Sequence, residues 1–260
     1  MNRELDRSEW RRQGWAVLRG VLNENEVRRL RESVGEVASW ADDGAGLGLH
    51  HFEQTDAGPV LARSERFADD HDYLGGFIRR GPIVGWLAEL FDEPAMLFKE
   101  KVNYKYPGGG GFAPHQDAAA YRFVDHHISA LVPIDRATIT SGCLHFAPGF
   151  DRGRLATDDR GRLLAEVVNR LRWSPVELEP GDVVLFDSYT PHFSETNHSR
   201  GSRRALYLTY NARSKGDFRL RYYEDKEAEL AREGESFDGE RVRVSISDDF
   251  LGRPVMPPVT

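Results

Sequence analysis

One cysteine, Cys143, is all the thiol this chain of 260 residues has. A lone cysteine excludes an internal disulfide framework and cannot build a thiolate cage around a metal; it fits a reducing compartment. An excess of basic charge is also missing: 35 Lys and Arg face 42 Asp and Glu, a formal net charge of −7 with no long block of one sign. Association with nucleic acid through bulk charge is therefore not expected. No apolar run approaches the length of a membrane span. The polar start Met1-Asn2-Arg3-Glu4-Leu5-Asp6-Arg7 has no signal-peptide core behind it, so a cytoplasmic protein is expected. Repeats are lacking as well; the nearest thing to a low-complexity tract, Gly108-Gly109-Gly110-Gly111, reads as a flexible loop between strands.

What is present, 40% hydrophobic and 11% aromatic residues, suffices for a single domain with its own core. Asn23 with Glu26 three positions on, ahead of Val27, Leu30, Val34 and Val37 at helical spacing, predicts a capped amphipathic helix. Further helices are expected from Asp69 to Ile78 and from Gly81-Pro82 to Phe91, making the first third (about 1–94) mostly helical. From Met96 the pattern changes to short runs separated by turn residues: 96–106, 112–118, 128–134, 143–147, 176–178, 183–187 and 205–211. Such spacing predicts a mainly β fold with flanking helices, its jelly-roll core spanning about 95–215. Residues 150–174 read as a polar insertion with a helical patch at Leu163, Leu164, Val167, Val168 and Leu171; 216–260 read as a charged extension with a helix at Glu224 to Arg232 and a Pro-containing tail of peripheral role. Loops 40–66 and 150–174 are the candidate lids.

The segment Phe112-Ala113-Pro114-His115-Gln116-Asp117 sets an imidazole and a carboxylate two residues apart. On a strand both would leave one face, about 6.5 Å apart, and could share a metal. A third ligand is offered by His192, which follows the apolar run Val183-Val184-Leu185-Phe186. His50, His51, His126, His127, His145 and His198 could serve on composition alone; the apolar run before His192, and Arg203 eleven positions after it, single it out. Two histidines and a carboxylate form the facial triad of non-haem iron(II) oxygenases, whereas structural zinc usually closes its shell with four protein ligands. Arg203, at the head of Arg204-Ala205-Leu206-Tyr207-Leu208-Thr209-Tyr210, can pair bidentately with the far end of a dicarboxylate, and Ser194 can donate a hydroxyl to the same group.

These residues, together with Ser141-Gly142-Cys143-Leu144-His145-Phe146-Ala147-Pro148-Gly149 and Pro180-Gly181-Asp182-Val183-Val184-Leu185-Phe186, resemble the phytanoyl-CoA dioxygenase family of iron(II)/2-oxoglutarate oxygenases from about Gly14 to Tyr210. The resemblance implies a double-stranded β-helix. It also implies iron(II) held by His115, Asp117 and His192, 2-oxoglutarate clamped by Arg203 with help from Ser194, and consumption of dioxygen to hydroxylate an unactivated C–H bond. Arg63 is similar in placement to a basic residue that contacts the cosubstrate in some members, and Lys99 is a second candidate for that contact. Two positions depart from the family: Phe150-Asp151 follows Pro148-Gly149 where many members read Ser-His, and Leu131 stands where some carry a tryptophan.

The run Lys99-Glu100-Lys101-Val102-Asn103-Tyr104-Lys105-Tyr106 alternates, placing Lys99, Lys101, Asn103 and Lys105 on one face. Either this is a cavity wall that binds an anionic small molecule, with Lys101 and Asn103 as contacts, or it is a solvated edge strand. The run from Phe98 to Lys105, with Tyr210-Asn211 and Gly216-Asp217, is similar to the family branch that hydroxylates organophosphonates such as 2-aminoethylphosphonate; other specialised metabolites and amino acids are the alternative substrates. Three other classes compete. A related halogenase would carry a small residue in place of Asp117. A cupin-like binding protein would lose cosubstrate chemistry, and a zinc hydrolase could use the same three ligands.

Overall fold

The computed structural model describes residues 5–43, 48–55, 58–121, 123–148, 153–236, 242–243 and 251–252. The Gly149-Phe150-Asp151 departure and most of the extension after Ser236 lie outside them. In chain order the elements are α1 (Arg7–Gln13), β1 (Trp15–Leu18), α2 (Glu24–Asp43), β2 (Leu49–Thr55), β3 (Gly58–Glu65), α3 (Asp72–Arg80), α4 (Ile83–Phe91), β4 (Ala95–Lys105), β5 (Phe112–His115) and β6 (Ile128–Pro133). They continue with β7 (Leu144–Phe146), α5 (Ala165–Val168), β8 (Ser174–Val176), β9 (Val183–Asp187), β10 (His192–Ser194), β11 (Arg203–Ala212), α6 (Arg219–Ser236), β12 (Val242–Arg243) and β13 (Leu251–Gly252).

Two antiparallel sheets carry the architecture: a large one in the order β1-β9-β6-β11-β4-β3-β2 and a small one in the order β5-β10-β7-β8. Strand alternation explains how they pack. Along β9, Val184 and Phe186 face the small sheet and join Leu131, Ala205, Tyr207, Leu144, Phe146 and Val176 in the inter-sheet core. Val183 and Leu185 face outward and join Val132, Leu206 and Leu208 under α2, α3 and α4, which bring Leu30, Val34, Leu74, Ile78 and Leu87. With both faces covered, β9 reads as an unbroken apolar run rather than an alternating one. This is the expected jelly roll with flanking helices. Asn23 caps α2 as predicted, its side chain accepting from the Asn25 and Glu26 amides while Glu26 accepts from the Asn23 amide.

Several expectations change in the folded chain. The first third holds β1, β2 and β3 besides its helices, because β4 and β9 supply partners that local propensity does not reveal. α3 starts at Asp72, capped by the His71 ring, not at Asp69. The helical patch around 163–171 reduces to the single turn of α5, since Leu163 instead bonds through its amide to the Pro114 carbonyl. β4 is flanked on both sides by β11 and β3, which removes the edge-strand reading of its lysines. A register shift opposite Thr209 and Tyr210 gives β4 one extra residue near Phe98. Leu97 thereby turns to the outer core, while Phe98 meets Tyr121, His127 and Tyr222.

The Pro-containing tail lies outside the described residues, but the helix of the extension, α6, packs on β4. Its Arg219 grips the fully buried Glu100 with both guanidinium nitrogens, Nη2 lying 2.8 Å from Oε1, and Tyr223 donates to the Glu100 carbonyl. Removing one partner of a buried pair strands the other charge, whereas exposed pairs contribute little. Arg219→Met is expected to lower the unfolding free energy by about 3–5 kcal/mol in urea titration, and Arg66→Met, which breaks a partly exposed pair with Glu227, by less than about 1 kcal/mol.

Candidate active site

Antiparallel register brings the two imidazoles together. β10 lies between β5 and β7, with His192 opposite His115 on one side and Phe146 on the other, and the two histidine rings are 4.3 Å apart between centroids. Asp117 arrives by a different route from the one its spacing suggested. β5 stops at His115, and Asp117 opens a 3₁₀ turn, so the two ligands are not neighbours on one strand face. Gln116 makes that exit: its side-chain amide donates to the Tyr189 and Gly153 carbonyls and accepts from the Leu155 amide, while the Ala118 amide bonds to the Ser188 carbonyl.

Both histidines are oriented by backbone. A carbonyl can only accept, so Nδ1 of His115 donates to Ala113 O (2.7 Å) and Nδ1 of His192 to Thr190 O (2.9 Å). This fixes the tautomer and leaves each Nε2 lone pair turned inward, as a ligating histidine requires. The two Nε2 atoms lie 3.7 and 3.9 Å from Asp117 Oδ1, and one ligand atom from each residue fits within a span of 4.8 Å. Such a donor set, two nitrogens and a carboxylate oxygen without thiolate, suits a divalent first-row metal that keeps positions open for other ligands. Burial alone would raise the Asp117 carboxyl, but the flanking imidazoles of His115 and His192 and the Lys101 side chain hold it far below the usual carboxylate range. Burial, then His115, lowers His192 to about 4. At neutral pH the site therefore presents a carboxylate and at least one neutral imidazole.

A second cluster lies at the other end of β10 and at the start of β11. Arg203 is fully buried; Nη1 reaches the Tyr207 hydroxyl at 3.4 Å, while Nε and Nη2 have no hydrogen-bond partner among the described residues. Two unsatisfied donors on one buried guanidinium are costly unless an external acceptor meets them, and a carboxylate matches that edge. Beside it Lys105 Nζ donates to Ser194 Oγ at 2.9 Å and to the Glu195 carbonyl. Since the hydroxyl oxygen accepts from Lys105, its own proton is left to donate. Burial and then the Arg203 charge push the Lys105 ammonium down to about 6. Gly142 makes this crowding possible: at φ +72°, an added Cβ would lie 2.2 Å from the Glu195 carbonyl oxygen.

Between the clusters runs the inner face of β4. Lys99, Lys101, Asn103 and Lys105 pair with Thr209, Tyr207, Ala205 and Arg203 of β11, and Tyr207 and Ala205 belong to the inter-sheet core. The alternating face is thus a wall of the interior. Lys99 Nζ sits 4.5 Å from the Tyr121 ring centre and 5.3 Å from that of Tyr222; Lys101 Nζ sits 5.1 Å from that of Tyr207. Burial lowers Lys99 to about 8 against the opposing pull of Asp117, and it lowers Lys101 well below its ordinary value, reinforced by Arg63 and Lys99. Among the described residues neither ammonium has a carboxylate within ion-pair distance. Arg63 donates from Nε to Asn103 Oδ1 (3.0 Å) and from Nη1 to Glu65 (3.3 Å), so it backs Asn103 on this wall.

Spacing, sequence context and the family resemblance mark the triad, Arg203, Ser194 and the lysine face. They do not mark Tyr121, Tyr222 or Glu65, which reach the site through tertiary contacts, nor the place of Lys105 beside Ser194. Other histidines take other duties: His50 bonds Ser64, His126 bonds Asp187, and His145 stacks on Phe193. Leu131 packs in the inter-sheet core.

The profile of the family described as Phytanoyl-CoA dioxygenase (PhyH) matches residues 10–205. A methylphosphonate hydroxylase of Gimesia maris is 43% identical over 253 residues, covering 96% of this chain and 95% of the relative. A 2-aminoethylphosphonate dioxygenase of an uncultured bacterium is 39% identical over 254 residues, covering 96% and 97%. Among solved structures, EctD from S. alaskensis with 2-oxoglutarate and 5-hydroxyectoine superposes with TM-score 0.69 at 22% identity over 80% of this chain and 75% of that one, a likeness of fold. For the site itself, Asp117→Ala is expected to abolish stoichiometric Mn(II) binding in an anaerobic electron paramagnetic resonance titration, and His145→Ala to leave it unchanged.

Proposed function

The chain belongs to the phytanoyl-CoA dioxygenase family, and from that premise we propose that it hydroxylates an unactivated C–H bond of a small organophosphonate. It is an iron(II)- and 2-oxoglutarate-dependent dioxygenase. When bound, iron(II) supplies the oxidising power, drawing on dioxygen and on decarboxylation of 2-oxoglutarate to succinate, so that the protein's share of the work is binding, orientation and exclusion of water. His115, Asp117 and His192 would hold the metal; their inward Nε2 atoms and depressed carboxyl fit it. Arg203 would take the distal carboxylate of 2-oxoglutarate on the edge formed by Nε and Nη2, with Ser194 donating to the same group.

The observation that carries the substrate class is the pair Lys99 and Lys101, two lysine side chains on the cavity wall with no described carboxylate within ion-pair distance, whose charged form an anionic head would favour. A phosphonate head brings the missing negative charge, and the two phosphonate-acting relatives at 43% and 39% identity support it. Asn103, held by Arg63, keeps its amide hydrogens for the same head. Arg63 then acts through Asn103 or reaches the cosubstrate itself. Another anionic metabolite is the second reading that the same two lysines permit. The unmet donors of Arg203 speak against a binding protein that has lost its cosubstrate, and Asp117 against a halogenase. The first-third strands β1, β2 and β3 complete the large sheet, which supports one catalytic domain. No helix among the described residues is long and apolar enough to cross a membrane, and with one buried cysteine this fits a cytoplasmic setting.

Anaerobic addition of iron(II) and 2-oxoglutarate is expected to give a weak visible charge-transfer band, and methylphosphonate or 2-aminoethylphosphonate to stimulate succinate release. Failure of every phosphonate to do so would remove the substrate assignment. Arg203→Ala is expected to weaken 2-oxoglutarate binding by about 30-fold or more. Lys105, mostly neutral above pH 6 in the free protein, gains a proton as a carboxylate arrives beside it. Calorimetry at pH 7.5 in two buffers of different ionisation enthalpy should therefore register proton uptake on 2-oxoglutarate binding, and Lys105→Met should remove it.

A further inference from the structure

α6 begins beyond residue 205, where the family match ends, yet two of its side chains reach the wall that would bind substrate. Tyr222 flanks the Lys99 ammonium together with Tyr121. Lys226 Nζ lies 2.5 Å from Oε2 of Glu65, a carboxylate at 2% exposure whose other oxygen meets Arg63 Nη1 at 3.3 Å and faces His51 Nε2 at 3.9 Å. Glu65 is paired in register with Lys101 across β3 and β4, and it lies close enough to Lys99 for each to shift the other's ionisation. Glu65 is therefore a rival for Lys99. A buried carboxylate short of cations draws in the nearest ammonium on a flexible stem, and Lys99 has a four-carbon stem and no ion-pair partner of its own.

Building on the reading that this wall binds a phosphonate head, we propose that Lys226 is a positioning residue for the substrate: by saturating Glu65 it keeps the Lys99 ammonium between Tyr121 and Tyr222, free to meet a doubly charged anionic head. Tyr222 contributes its ring face rather than its hydroxyl, holding the ammonium by cation–π attraction. α6 is in this way a specificity-determining element for dianionic heads, lying outside the region that defines the family. The metal and cosubstrate clusters, built from β4, β5 and the turn after it, β10 and β11, contain no residue of α6.

The test measures methylphosphonate binding by calorimetry to the full-length protein loaded with Mn(II) and 2-oxoglutarate, alongside KM values for both compounds in the iron enzyme. Lys226→Met is expected to weaken methylphosphonate binding by about tenfold with the 2-oxoglutarate KM unchanged, and Lys226→Arg to restore it. In the double variant Glu65→Gln with Lys226→Met the rival charge is gone, so binding should recover towards wild type although the ion pair is absent. Tyr222→Phe should keep binding and Tyr222→Ala should lose it. Unchanged methylphosphonate binding in Lys226→Met overturns the inference; so does a double variant as impaired as the single one, which would mark Lys226 as a plain structural prop. If the wild-type protein binds no phosphonate at all, the substrate reading itself fails, and this inference with it.

Discussion

Positive charge that the protein does not itself neutralise is the constraint on which the interior of this jelly roll depends. Among the described residues Arg203 is buried with two donors unmet, and Lys99 and Lys101 face inward with no carboxylate within ion-pair distance. Charges in such places are unfavourable until something arrives to pair with them. The scaffold must therefore be stable for other reasons, and it is: α2, α3 and α4 cover the outer face of the large sheet, and an aromatic and aliphatic core fills the space between the sheets. Each fully buried Leu, Val or Phe there is worth about 1.5–3 kcal/mol. Stability resides in the walls, and the unmet charge is confined to the cavity they enclose.

Negative charge inside the protein follows the opposite logic. Glu100 is gripped by Arg219, Glu65 by Arg63 and Lys226, and Asp187 accepts from His126. These buried carboxylates are matched to cations or imidazoles, and among the described residues Asp117, set between two imidazoles, is the one whose partners form a metal-binding geometry. On the proposed reading this asymmetry suits the cavity to anions, a dicarboxylate at Arg203 and a phosphonate at Lys99 and Lys101.

Much of this was legible in the sequence where chemistry and local pattern coincide. His115 and Asp117 announce themselves by spacing, His192 by the apolar strand before it, and Arg203 by its place at the head of the next. The route by which Asp117 reaches its partner was not legible, since it depends on Gln116 anchoring to carbonyls at 153 and 189. β10, three residues long, is too short for any periodicity to show, and β2 is polar enough to pass for a loop until β3 pairs with it. The weight of α6 was hidden for a similar reason. Its charged composition reads as a solvated surface, and what buries Arg219 and Lys226 is the presence of Glu100 and Glu65 on strands more than a hundred residues earlier. Local rules report what a segment prefers; they do not report which distant acid a basic side chain will find.

The extra residue in β4 near Phe98 sets a limit on how this architecture can diversify. Side chains alternate strictly on either side of it, so the bulge decides that Lys99, Lys101, Asn103 and Lys105 look inward while Leu97 looks out. Substitutions along the strand can retune the lining one group at a time. Gain or loss of a single residue there would instead turn lysines into the greasy layer beneath the helices and apolar groups into the reaction chamber. Variation in what the enzyme accepts is thus channelled into the identity of these residues and away from their number.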